Sequence, residues 1–160
     1  MKKIDKILVC VDFSQYTRMT MESALAIARG TQAQIVVFNV INQRDVNSVK
    51  MVSQYYPDRL DVETYIQDLK KERLEKLTQL IDSQFSDDKQ RMTLNIEVGY
   101  PWESIIQAAK THGADLIVMA NKGRGNLARV LFGSAAEKVF RHSPVPVVSV
   151  RDPDTFKGRE

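Results

Sequence analysis

The chain has 160 residues, 43% of them hydrophobic and 27% charged, enough apolar material for one domain with a real core. Its net charge of +3 is spread along the sequence with no run of five or six cations, so composition gives nucleic-acid binding little support. The apolar stretches are of strand length, far below the ~20 residues of a membrane helix, so no membrane association is expected. The N-terminus lacks both a long apolar region and a cleavage signature, and the single cysteine, Cys10, excludes an internal disulfide, so a cytoplasmic protein is expected.

In chain order, Ile7-Leu8-Val9-Cys10-Val11 is a continuous apolar run, the pattern of a strand covered on both faces. Phe13-Ser14-Gln15 breaks it, with Ser14 a candidate helix cap. Met21, Ala24, Leu25 and Ala28 follow at helical spacing and Gly30 is expected to end that helix. Ile35 to Val40 reads as a second buried strand. Residues 41–60 are polar and irregular, an unusually long connection of the kind that is often functional. A helical stripe returns with Val62, Ile66, Leu69, Leu77, Leu80 and Ile81, with Leu74 near its edge. Ser86 to Lys89 reads as a turn, and Thr93 to Val98 alternates in part, as a strand near a sheet edge does. Pro101 is placed to open a helix with Ile105, Ile106, Ala108 and Ala109 on its apolar face, closed by His112-Gly113. Leu116 to Met119 is a fourth strand, Ser134 to Arg141 a last main helix, and Pro144 to Val150 a fifth strand. Residues 152–160 are expected to form a loose tail. Strict alternation of strands and helices implies an α/β fold, a doubly wound five-stranded parallel sheet with helices on both faces. Such sheets bind ligands beyond the carboxyl ends of their strands.

The segment Ala120 to Ser134 follows the fourth strand and contains Gly123, Gly125 and Gly133, the cations Lys122, Arg124 and Arg129, and a Ser at a helix start. Glycines let backbone N–H groups approach an anion, and a helix N-terminus carries partial positive charge, so a phosphate is the expected ligand. A Walker A loop is absent. Gly123-Arg124-Gly125-Asn126-Leu127-Ala128 imitates a dinucleotide fingerprint, but it follows the fourth strand, and Val148 stands where an acidic residue is required. Ser134-Ala135-Ala136-Glu137 also reads as a capping box.

Ala120, Gly123 and Gly133-Ser134 make the spacing A-x2-G-x9-G-S. It resembles the G-x2-G-x9-G-[ST] pattern of the ATP-binding branch of the universal stress protein family, with alanine for the first glycine. The flanks are similar too: Lys6 to Ser14, Gly99-Tyr100-Pro101, Ala136 to Val139, and His142 to Val147. The resemblance implies a single domain over residues 1–151, with strand order 3-2-1-4-5. It implies ATP, ADP or AMP as ligand, with Mg2+ held through the phosphates. It places Asp12 and Val40 at the adenine and ribose end, with Cys10 and Val11 lining the same strand exit, Cys10 where nucleotide-binding members often have proline. Met119, Ala120 and Gly123 would border the ribose and phosphates, and Gly133, Ser134 and Ala135 would hold the phosphates. Lys122 and Arg124 add positive charge, whereas Arg129 reads as a solvated cation. Alanine at 120 is expected to weaken binding, either through strain of roughly 1 kcal/mol if φ there is positive or through one methyl group against the ligand.

His112 and His142 read as surface or capping residues, Tyr100 and Trp102 as packing groups, and Cys10 as a small buried residue. With no candidate general base, any ATP hydrolysis is expected to be slow. The resemblance further implies a homodimer through the last strand, Val145 to Val150, and a nucleotide-responsive regulatory module read by a protein partner. The alternatives are a slow ATPase or nucleotidyl-transfer enzyme on the same fold, and an interaction module without nucleotide.

Overall fold

The computed structural model describes residues 3–123 and 133–154. In chain order the elements are β1 (Lys6–Cys10), α1 (Thr17–Thr31), β2 (Gln34–Asn42), α2 (Gln43–Tyr55), α3 (Val62–Gln84), a 3-10 turn (Ser86–Arg91), β3 (Met92–Gly99), α4 (Pro101–Thr111), β4 (Leu116–Ala120), α5 (Ser134–His142) and β5 (Val147–Val150). All pairings are parallel, in the order β3-β2-β1-β4-β5, so the partly alternating strand does lie at an edge. Val9 sits level with Val37 on one side and Val118 on the other.

Successive residues of the central strands feed two cores, which is why their sequences are apolar at every position. Ile7 and Val9 pack with Met21 and Leu25 of α1 and Leu77 and Ile81 of α3. Leu8, Phe38 and Ile117 face the opposite way, against Ile105 of α4 and Val139 of α5.

Four local expectations are corrected. Residues 41–60 are largely regular: β2 continues to Asn42, whose side chain accepts from the Arg44 N–H at 3.1 Å and starts α2. Only Val46 of α2 is buried, so the helix leaves no apolar stripe to read. Ser14 does not cap α1; its Oγ accepts from the Tyr16 N–H at 3.2 Å, and the helix begins only at Thr17. Gly30 lies inside α1, and the left-handed residue that ends the helix is Gln32 (φ 62°), whose N–H bonds the Ala28 carbonyl. The capping box at Ser134 does not form. Gly133 is the N-cap, with no side-chain cap, and Glu137 pairs with Arg141 Nη2 at 3.0 Å instead of reaching back.

Asp88, in the 3-10 turn, is 5% exposed and joins two arginines. Arg29 Nε donates to its Oδ2 at 3.1 Å, Arg29 Nη2 binds the same oxygen, and Arg91 Nε lies 3.2 Å from its Oδ1. Hydrogen bonding to Arg29 holds the Asp88 carboxyl below the ordinary carboxylate range, against the opposing effect of burial. A depressed folded-state pKa gives stability that is present above the unfolded carboxyl value, about 3.9, and is lost as pH falls through the folded value. The urea midpoint of the protein is therefore expected to drop below about pH 4, and the Asp88→Asn variant to drop less over that range. Because the Arg29 side chain is 62% exposed, solvent screening limits the cost of that substitution at neutral pH to about 1 kcal/mol.

Candidate functional site

The carboxyl ends of β1, β2 and β4 open into a cleft of about 330 Å³, where strand order reverses between β1 and β4. Cys10, Val11, Asp12, Val40, Met119, Ala120, Lys122, Gly123, Gly133, Ser134 and Ala135 all line it. Arg124, the other expected site residue, lies outside the described residues, as does Arg129.

The lining of the cleft mixes two chemistries. Phe38, Val40, Pro101 and Ile105 contribute apolar side chains. Lys122, Gly123 and the start of α5, a helix without a side-chain cap, contribute a cation and the orphan N–H groups of a first helical turn. The Gly133 N–H donates to the Asn121 carbonyl at 2.8 Å, and the Asn121 N–H donates to the Val150 carbonyl at 3.0 Å. These bonds clamp both ends of the segment between positions 121 and 133 onto the sheet.

Asp12 is set by its turn. Its Oδ1 accepts from the Ser14 N–H at 3.1 Å, and the next residue, Phe13, takes φ 60°. A bulky side chain in the left-handed region costs about 1–2 kcal/mol, so the sharp exit from β1 is maintained against local preference. The other carboxylate oxygen reaches across to the β4 exit: a Cβ placed on Gly123 would lie 2.7 Å from Asp12 Oδ2. A side chain at 123 would therefore displace the Asp12 carboxylate from its present position. At Gly133 a Cβ would meet, among the described residues, nothing nearer than the Asn121 carbonyl at 3.7 Å, an ordinary contact.

Ala120 is an ordinary strand residue. Among the described residues positive φ outside glycine occurs only at Phe13 and Gln32, so the strain expected of alanine there is absent and its methyl group is the remaining effect. Burial alone pushes the Cys10 thiol well above its ordinary range, which keeps it protonated and poorly nucleophilic.

His112 Nε2 lies 2.8 Å from Asn95 Nδ2, and His142 packs its ring 5.6 Å from that of Trp102; neither histidine lines the cleft. Trp102 is half-buried against the core on the α4 and α5 side, whereas Tyr100 is 41% exposed. Among the described residues no group of three His, Cys, Asp or Glu is placed to hold a metal, and no helix is long and apolar enough to cross a membrane.

Sequence reasoning missed the buried polar residues on the α1 and α3 side of the cleft. Arg73 of α3, 8% exposed, donates through Nη1 to Asn39 Oδ1 at 2.8 Å and to the Val40 carbonyl at 2.9 Å. Asn39 Nδ2 in turn donates to the Val11 carbonyl at 2.7 Å. The Thr17 hydroxyl, also buried at the cleft, has no partner among the described residues. A signal existed for Arg73: it occupies the i+4 position between Leu69 and Leu77, inside the apolar stripe of α3.

The Universal stress protein family profile matches residues 3–151. The chain is 26% identical over 153 residues to Universal stress protein MJ0577 of Methanocaldococcus jannaschii, covering 91% of this chain and 94% of that one. The solved structure of MJ0577 superposes with a TM-score of 0.77, over 93% of this chain and 96% of that one. Universal stress protein YxiE of Bacillus subtilis is 26% identical over 92% of this chain and 99% of its own length. A universal stress protein from Archaeoglobus fulgidus, solved in complex with dAMP, shares the fold at 19% identity and a TM-score of 0.58, over 94% of this chain and 100% of that one. With the family profile spanning nearly all of the sequence and the same sheet order beneath it, the chain belongs to the universal stress protein family.

Proposed function

We propose that the cleft binds ATP, with ADP or AMP as shorter occupants, and that the protein is a nucleotide-responsive regulatory module of the stress response. The observation that carries this reading is the meeting of Asp12 with the Gly123 backbone beside the uncapped start of α5. That arrangement provides a carboxylate for ribose or base donors, N–H groups and Lys122 for phosphates, and the apolar side chains of Phe38, Val40 and Ile105 for a purine ring. The nucleotide in the Archaeoglobus relative supports the ligand class. Mg2+ would be carried on the phosphates, given the donor set at the cleft. Among the described residues β5 has no strand on its outer side, which leaves that edge and the half-buried Val145 and Val147 for a second copy, and a cytoplasmic homodimer is part of this reading.

Calorimetry with ATP and Mg2+ tests it. A dissociation constant in the micromolar range, about −8 kcal/mol, is expected. No heat at millimolar ATP overturns the reading.

A further inference from the structure

Asp12 stands where β1 parts from β2. Cys10 is the last residue of β1 paired with β2, opposite Phe38, and the Val11 N–H still donates to the Phe38 carbonyl at 3.0 Å. Beyond it β2 runs on to Asn42, whereas the chain after Val11 turns through Asp12 and the left-handed Phe13.

Side chains bridge the gap that opens there. Asn39 Nδ2 donates to the Val11 carbonyl at 2.7 Å. Arg73 Nη1 donates to Asn39 Oδ1 at 2.8 Å and to the Val40 carbonyl at 2.9 Å. Both side chains are buried, so water competes little for these bonds. A guanidinium only donates and a carbonyl only accepts, so a single orientation of the Asn39 amide makes both of its contacts attractive. Arg73 thereby dictates that the amide turns its N–H to Val11. The Val11 carbonyl belongs to the same planar peptide group as the Asp12 N–H, and holding that plane sets the direction in which Asp12 leaves the strand. A second anchor lies downstream, where Asp12 Oδ1 accepts from the Ser14 N–H. The turn carries a bulky residue at positive φ, a conformation that persists only where its surroundings hold it.

We propose that Asn39 and Arg73 are a positioning pair: through the Val11 carbonyl they hold the Asp12 carboxylate opposite Gly123, in the place from which it meets a nucleotide. The assignment rests on the reading of the cleft as a nucleotide site. It requires no contact between either side chain and the ligand.

The test is a double-mutant cycle. Calorimetry with ATP and Mg2+ on the full chain compares the native protein, Arg73→Met, Asp12→Ala and the double variant, with urea unfolding recorded on each. Arg73→Met is expected to lower affinity about tenfold in the native background and less than about threefold once Asp12 is alanine, because a pair acting through Asp12 then has nothing left to position. Equal losses in the two backgrounds, the result for a direct ligand contact or a general loosening of the cleft, overturn the assignment. So does unchanged affinity in Arg73→Met. Asn39→Asp is the second variant: its carboxylate keeps the bond from Arg73 but sets an oxygen against the Val11 carbonyl, and an affinity loss of about tenfold with cooperative unfolding is expected. It replaces Arg73→Met in the cycle if that protein does not fold. Where Asp12→Ala binds too weakly to titrate, Asn39→Asp decides by itself, and unchanged affinity overturns the assignment. Absence of heat with the native protein overturns the nucleotide reading itself, an outcome distinct from native binding with equal losses.

Discussion

Replacing Gly123 by alanine is expected to lower ATP affinity by about ten- to hundredfold while changing folding stability by no more than about 1 kcal/mol. The added Cβ would fall 2.7 Å from Asp12 Oδ2, and among the described residues beyond its chain neighbours the next atom is Asp12 Cγ at 3.9 Å. The obstacle is the end of a short side chain, so the fold relieves the clash by turning the carboxylate away. That movement gives up the Oδ1 bond to the Ser14 N–H and withdraws the carboxylate from the cleft. The damage thus falls on the site and spares the core. Gly133→Ala is the matched control: among the described residues its Cβ meets ordinary contacts from 3.7 Å outward, and its φ of −67° suits any residue. It should retain most of the affinity, although both glycines belong to the same sequence pattern. Calorimetry for binding and urea unfolding for stability check the pair. Equal losses of affinity at the two positions would show that the Asp12 contact does not matter.

Phe38→Ala is expected to have the largest effect on stability, about 3–5 kcal/mol. Phe38 is 1% exposed, lies on the second strand of a five-stranded sheet, and packs in the core beneath α4 and α5. Phe38 also lines the cleft, so the cavity left by alanine is expected to open onto the site. For a domain of this size the loss corresponds to a fall in Tm of about 6–20 °C. Thermal unfolding followed by circular dichroism measures it, and a shift below about 3 °C would mean that the site collapses around the missing ring.

Much of the architecture was legible because burial leaves a mark on sequence. Ile7 to Val9, Ile35 to Phe38 and Leu116 to Val118 are covered on both faces, and a strand in that position has no solvent side on which to carry polar residues. Pro101 and Gly113 mark the bounds of α4 through backbone conformations that their side chains, or lack of one, favour. Where burial is slight the sequence is silent. With only Val46 buried, α2 has no stripe, and its start depends on one cap at Asn42. The start of α5 shows the converse. Its four residues satisfied the capping-box pattern, yet the chain enters the helix one position earlier because Asn121 holds the Gly133 N–H.

The sequence by itself therefore determined the order of elements, the parallel sheet and the segments that come to its carboxyl edge, since these follow from local periodicity and backbone preference. Only the tertiary structure decided which of those residues meet and why each is needed. Asp12 and Gly123 lie far apart in the chain, and it is their approach across the β1 and β4 exits that sets a side chain at 123, and not one at 133, against the Asp12 carboxylate. Arg73 reads as a charge interrupting an apolar helix face until packing sets it against Asn39 and Val40. Hydrogen bonds and close contacts between distant segments depend on distance in space, and spacing along a single sequence does not encode them.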